Sequence, residues 1–221
     1  PPERSLSALA WAMTAVPSGF PLVHHNVFFS DDYPAEFAAL LGDRRVPDAP
    51  TVYLCAQDRG DAPRDPAGAE PMLVVVNAPA TGDCPERWND AERTRCERVT
   101  LSMLERCGLR LERTAERMLT PVELAASYPG TGGAIYGPRP RGPTSSLARE
   151  GSTTRIPGLY LAGGSVHPGA GVPMAATSGR LAAARIWSDL ASTGRSRWAA
   201  IAGTISTRPA TTAASPSSSS R

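Results

Sequence analysis

The chain has 221 residues, a net charge of +2 at neutral pH and four cysteines, long enough for one large domain or parts of two. So balanced a charge excludes nucleic-acid binding driven by a basic surface. All 23 basic side chains are arginine, alongside abundant Ala, Gly and Pro; this reads as the codon bias of a GC-rich genome and excludes a lysine nucleophile or Schiff base within these residues. Cys55, Cys84, Cys96 and Cys107 form no C-x-x-C pair, and no signal peptide precedes them, so the expectation is reduced thiols rather than disulfides or zinc. No apolar run approaches the roughly 20 residues that span a bilayer, so any membrane contact is expected to be peripheral.

In chain order, Pro1-Pro2-Glu3 opens without an initiator Met, which predicts a truncated start. Leu6, Leu9, Ala10 and Met13 fall on one face of a helix over Ser5 to Ala15, broken by Pro17-Ser18-Gly19. Leu22 to Phe29 reads as a strand, followed by a short helix around Pro34 to Leu41 that Asp31 or Asp32 caps. Thr51 to Ala56 and Met72 to Asn77 are strands, joined by a Gly/Pro/Asp-rich connection from Gln57 to Pro71. A charged amphipathic helix follows from Trp88 to Cys107, with Val99, Leu101, Met103 and Leu104 apolar and Gly108 at its C-cap. Leu109 to Met118 alternates as a half-exposed strand. Thr120, Pro121 and Glu123 then match a helix start, and that helix ends by Pro129-Gly130.

The richest stretch runs from Gly158 to Ala183. Its reading is a buried strand (Ile156 to Ala162), a glycine-rich turn, and a small-residue helix from Pro173 to about Leu190. Unpaired N–H groups and the positive helix end make such a turn a cradle for negative charge or electron-rich carbonyl oxygens. From Thr204 to Arg221 the composition is Thr/Ser/Ala/Pro-rich and predicts disorder. Mixed elements of this kind place the chain in the α/β or α+β class.

Taken together, Thr120-Pro121, Tyr128-Pro129-Gly130, Gly133-Ala134-Ile135-Tyr136-Gly137 and the Leu159 to Ala183 segment resemble the C-terminal portion of the bacterial-type phytoene desaturases (carotenoid desaturases). Within that family the resemblance is greatest to the hydroxyneurosporene/methoxyneurosporene desaturases, and Leu22 to Tyr33 resembles their middle region. The resemblance implies an FAD-dependent enzyme with a Rossmann-like flavin domain of amine-oxidase type and an α+β substrate domain. It divides the chain into a partial substrate-binding domain (1–120), the C-terminal part of the flavin domain (121–190) and a low-complexity tail (191–221). Gly163, Gly164 and Ser165 would lie near the ribityl and pyrophosphate groups of FAD. Gly171, Val172, Pro173 and Met174 would present the helix start to the pyrimidine edge. The implied substrate is an acyclic carotenoid, such as a 1-hydroxy or 1-methoxy derivative, that loses hydride to the flavin. The implied location is cytoplasmic, on the membrane periphery.

No G-x-G-x-x-G occurs in the sequence, and that fingerprint is the family's phosphate-binding half. Two expectations follow: the chain alone binds FAD weakly or not at all, and a separate N-terminal polypeptide completes the site or the chain is an inactive remnant. A flavin amine oxidase or a retinoid saturase-like protein is the other enzymatic reading. Tyr136 either lines a polyene tunnel or packs, and His167 either lines the substrate side of the flavin or bonds to local backbone. No catalytic acid–base pair stands out. Arg139 and Arg141 read as a solvated pair or as a contact for phosphate or anionic lipid, and Arg93, Arg95 and Arg98 with Glu92 and Glu97 as a solvated helix face whose salt bridges contribute little. His24 and His25, adjacent in a strand pattern, are expected on opposite faces and thus not as a metal site.

Overall fold

The computed structural model describes residues 3–60, 68–139 and 149–203, with side chains up to residue 192. Its centre is a five-stranded antiparallel sheet in the order β2-β3-β4-β1-β5. The strands are β1 (Ser7–Ser18), β2 (His25–Phe28), β3 (Val52–Ala56), β4 (Glu70–Ala78) and β5 (Arg110–Leu119).

The predicted helix over Ser5 to Ala15 is instead β1, the strand between β4 and β5. Leu9, Trp11, Met13 and Ala15 are buried at period two, while Ala10, Ala12 and Thr14 between them turn to the other face. Because those alternating residues are mostly small and apolar, the sequence shows no hydrophobic alternation, and its i, i+3, i+4 spacing mimics a helix. The strand predicted from Leu22 is shorter and begins at His25. The other three strands stand close to their predicted limits.

One face of the sheet holds the core. Phe28, Val52, Leu54, Val74, Val76, Trp11 and Met13 pack there with Cys96, Met103 and Leu104 of α2 (Asp90–Arg106). Asn89 starts α2 by accepting from the Glu92 N–H at 3.0 Å, and a 3-10 turn, Pro85–Trp88, leads into it. Trp88 is buried, its Nε1 donating to Thr81 Oγ1 at 3.1 Å. Past α2, Gly108 has φ +87°, and a Cβ on Gly19 would stand 2.3 Å from the Gly108 carbonyl oxygen. Two glycines therefore let the β1 exit and the α2 exit touch.

Crossing the second face, Val27, Tyr53, Val75, Ala10 and Leu119 stand in register as one row. His25, Cys55, Leu73, Ala12 and Arg117 form the next. Of these ten side chains Val27, His25, Ala12 and Arg117 are exposed, Cys55 is buried and the other five are half-buried. The sheet thus has one sealed face and one open, largely apolar face.

Three further helices complete the chain. In α1 (Tyr33–Phe37), Asp32 rather than Asp31 is the cap, accepting from the Ala35 N–H at 2.9 Å, and a π-helical turn continues it over Ala38–Asp43. At α3 (Pro121–Ser127) the expected capping box is present: Thr120 Oγ1 accepts from the Val122 N–H, and Glu123 accepts from the Thr120 N–H at 2.7 Å. Residues after α3 fold back onto the chain start, with bonds from Gly82 N–H to Gly132 O, Ile135 N–H to Leu6 O and Ser5 N–H to Gly137 O. The last helix, α4 (Val172–Gly203), runs past the expected end near Leu190.

The strand predicted over Ile156 to Ala162 does not form. An isolated bridge pairs Thr153 with Tyr160, and Thr154 Oγ1 donates towards both Ile156 O and Leu159 O, so the segment bends onto itself. A buried parallel strand needs neighbours for its N–H and C=O groups, and the sheet among the described residues is antiparallel throughout. The fold is mixed α and β.

Candidate functional site

The glycine-rich turn is held by three anchors. Ser178, fully buried on α4, accepts the Gly163 N–H at 3.0 Å. Arg149 donates to Gly164 O at 3.3 Å and to Tyr136 O at 3.4 Å, tying the turn to the Tyr136 loop. Gly137 packs there so closely that a Cβ would lie 2.8 Å from the Ser165 Cβ. The Gly133 to Gly137 loop and the terminal block, far apart in sequence, therefore meet.

The backbone of the turn demands glycine. Gly163 and Gly171 have φ values of +127° and +105°, with open space where a Cβ would point. Gly171 O accepts the Ala175 N–H at 2.8 Å, starting α4. Val172 (84% exposed), Pro173 and Met174 (41% exposed) then stand on the surface with the first-turn N–H groups that lack helical acceptors. Ser165 is exposed too, and Gly164 half-buried. All seven predicted cofactor residues belong to one turn and helix start, with the Arg149 cation beside them. Such a surface suits the electron-rich edge of a flavin, and its glycines do not form the G-x-G-x-x-G fingerprint for a pyrophosphate.

Tyr136 is 46% exposed, its N–H donating to Ser5 Oγ at 3.0 Å. His167 is exposed, and its N–H donates to Glu150 O at 2.9 Å. Further along α4, the Tyr160 hydroxyl donates to Asp189 at 2.7 Å, and that bond raises its pKa. Arg139 pairs with Glu3 at 3.3 Å, whereas Arg141 lies outside the described residues. Arg93 and Arg95 carry salt bridges, as expected, but two of their partners lie off the helix: Arg93 binds Glu123 at 2.9 Å, and Arg95 binds Glu92 at 2.8 Å and Asp48 at 3.0 Å.

Sequence reasoning missed Arg149, because nothing in a Pro/Arg-rich passage marks one arginine, and it missed Ser178's bond to the turn, having read Ser178 only as a small residue. It also missed a second cluster. His24 and His25 do not point to opposite faces; their ring centroids are 4.3 Å apart. The strand begins at His25, so period-two alternation does not apply to His24. Instead Asn26 closes a tight turn on Val23, accepting its N–H at 3.0 Å and donating to its carbonyl at 2.7 Å. Cys55 sits opposite His25 in register, with its Sγ 3.6 Å from His24 Nε2. Tyr53 reaches His25 Nδ1 at 2.8 Å, and partial burial and the Cys55 thiol raise its pKa.

Comparison with known proteins adds the following. Residues 23–187 match the family described as flavin containing amine oxidoreductase. The chain is 50% identical over 214 residues to a hydroxyneurosporene desaturase of Rubrivivax gelatinosus, covering 96% of this chain and 41% of that protein. It is 44% identical over 194 residues (87% and 38%) to a hydroxyneurosporene desaturase of Cereibacter sphaeroides, and 43% over 190 residues (85% and 37%) to one of Rhodobacter capsulatus. The chain thus spans about two fifths of the length of these relatives.

Proposed function

The chain belongs to the flavin-containing amine oxidoreductase family, and from that premise we propose that it serves a flavin-dependent carotenoid desaturase acting on an acyclic 1-hydroxy or 1-methoxy carotenoid, with FAD as the flavin. The observation that carries the substrate class is the likeness to hydroxyneurosporene desaturases across almost the whole chain, half of it identical in one case.

When bound, the flavin supplies the hydride acceptor. The residues of this chain bind, orient and exclude water. Gly163, Gly164 and Ser165 would lie along the cofactor with no Cβ of Gly163 in the way. Gly171, Val172, Pro173 and Met174 would set a helix start against it, where N–H donors and the helix dipole favour negative charge; the Arg149 guanidinium adds to that field. The open sheet face, with Val27, Tyr53, Val75, Ala10 and Leu119 in one row, gives a flat hydrocarbon an apolar surface that offers little competition from hydrogen bonds. Tyr136 and His167 border the glycine turn on its exposed side. Among the described residues no helix is long and apolar enough to cross a membrane; substrate delivery from a bilayer then requires contact at its surface.

The missing G-x-G-x-x-G favours a second reading, in which these 221 residues alone do not retain FAD. Flavin retained by the isolated chain after gel filtration tests the second reading, and a chimaera tests the first. This chain replaces the matching region of the Rubrivivax gelatinosus desaturase, and the purified protein is assayed for bound flavin and for conversion of hydroxyneurosporene to a longer polyene. Flavin retention with conversion supports the desaturase reading. A folded, flavin-loaded chimaera that leaves the carotenoid unchanged overturns it.

A further inference from the structure

The side chains at the β2–β3 edge converge on one point without help from the flavin block. The ligand atoms of His24, His25 and Cys55 all lie within 4.8 Å of one another. His24 Nδ1 is 2.8 Å from the Arg59 carbonyl oxygen. A carbonyl can only accept, so Nδ1 carries the hydrogen and Nε2 keeps its lone pair. That lone-pair nitrogen is the atom facing Cys55, with 3.6 Å between nitrogen and sulfur. Tetrahedral zinc, at about 2.3 Å from sulfur and about 2.0–2.1 Å from nitrogen, sets its N and S ligands roughly 3.6 Å apart. The pair stands at the required separation before any ion enters.

The supporting shell is rigid. The Arg59 carbonyl that fixes the His24 tautomer belongs to a residue whose side chain is 3% exposed. Its guanidinium grips Glu70 through Nε and Nη2 and donates to Leu22 O at 2.9 Å. The His24 backbone is pinned twice, its N–H to Gly60 O and its carbonyl to the Ala56 N–H, both at 3.0 Å. A carbonyl-oriented imidazole is the usual second shell of a metal-binding histidine. On the opposite side, Tyr53's hydroxyl can accept from His25 Nδ1–H, which leaves His25 Nε2 with a lone pair.

We propose that His24, His25 and Cys55 bind one Zn2+ ion at the β2–β3 edge of the sheet. Two imidazoles and a thiolate suit a borderline-soft divalent ion. Binding would displace the Cys55 thiol proton to solvent, and three protein ligands leave a fourth position for water. None of these groups belongs to the flavin block, although His25, Cys55 and Tyr53 stand on the open sheet face; metal content is read without flavin or carotenoid, so its failure is distinguishable from failure of the desaturase reading.

The test is metal content and cobalt spectroscopy on the 221-residue chain, with far-UV circular dichroism as the folding control. After equilibration with Zn2+ and removal of the excess, the chain is expected to retain one equivalent. His25→Ala and Cys55→Ser, each with an unchanged dichroism spectrum, are expected to lose it. Co2+ should give tetrahedral d–d bands and a thiolate-to-cobalt charge-transfer band that disappears in Cys55→Ser. Zinc retained by both variants places the ion elsewhere and overturns the site. A folded chain that takes up neither ion overturns it as well, leaving a hydrogen-bonded trio.

Discussion

Replacing Glu70 by Gln tests the most deeply buried charge pair among the described residues. Glu70 and Arg59 are 4% and 3% exposed at their side chains, and the carboxylate meets Nε and Nη2 at 2.5–3.0 Å. The variant keeps shape and one acceptor oxygen but removes the carboxylate charge that the Arg59 guanidinium grips. Removing one partner of a buried pair costs about 3–5 kcal/mol. Asp31→Asn removes the partner of Arg106 in a pair exposed by 56% and 82%, where an ion pair contributes roughly 0–1 kcal/mol. Urea unfolding followed by circular dichroism, compared at matched slopes, should therefore separate the two variants by about 2–5 kcal/mol. A double variant, Arg59→Met with Glu70→Met, should recover much of the loss, because apolar side chains of similar volume replace a buried pair at little cost. A Glu70→Gln effect below about 1 kcal/mol, the range of exposed pairs, would refute the claim that Arg59 depends on this carboxylate.

Other outcomes follow from single residues. Trp11→Ala, at a position 2% exposed in the core, should cost about 3–5 kcal/mol, whereas Trp187→Ala, 77% exposed, should change the urea midpoint little. Gly82→Ala would put a Cβ 1.9 Å from the Pro121 carbonyl oxygen and should lower stability by roughly 1–3 kcal/mol as α3 is pushed off. Burial raises the Glu123 pKa, but bonds from Thr120 and Arg93 outweigh it and hold the carboxyl down to about 2. A depressed folded pKa stabilises above the unfolded value of about 4.3 and is lost as pH falls through the folded one. The stability gap between the native chain and Glu123→Gln should thus be full at neutral pH and close towards pH 2 in a urea series. Burial, then the Glu92 carboxylate, push the Cys96 thiol up to about 12, so iodoacetamide at pH near 8 should spare Cys96 until urea is added, as read by peptide mass spectrometry.

Where local chemistry decides structure, the chain was legible. The Thr120–Pro121–Glu123 start, the Gly108 exit and strands β3 to β5 all rest on residues whose preferences are local. What failed depended on partners distant in sequence. β1 reads as a helix because Ala8, Ala10 and Ala12 erase the polar half of its alternation, and its strand state comes from β4 and β5 on either side. Ile156 to Ala162 has strand composition but no paired neighbour in the sheet, so Thr154 folds it back. For the site, the glycine turn and the Pro173 helix start were readable because positive φ and a missing N–H are properties of single residues. Arg149 and the His24–His25–Cys55 convergence were not, since each is made by a fold-level approach of separate segments.

The two margins of the sheet differ in how they are kept from sticking. β2 offers four residues, too few to template a long partner strand, and β5 presents Arg110, Glu112, Arg113, Glu116 and Arg117 along ten. A short margin and a heavily ionised one both resist edge-to-edge polymerisation. Growth by strand addition is thereby discouraged at both ends of the order β2-β3-β4-β1-β5. Association with other polypeptide is left to broad surfaces, the row-patterned side of the sheet and the flank of α4 bearing Ile186, Trp187 and Leu190.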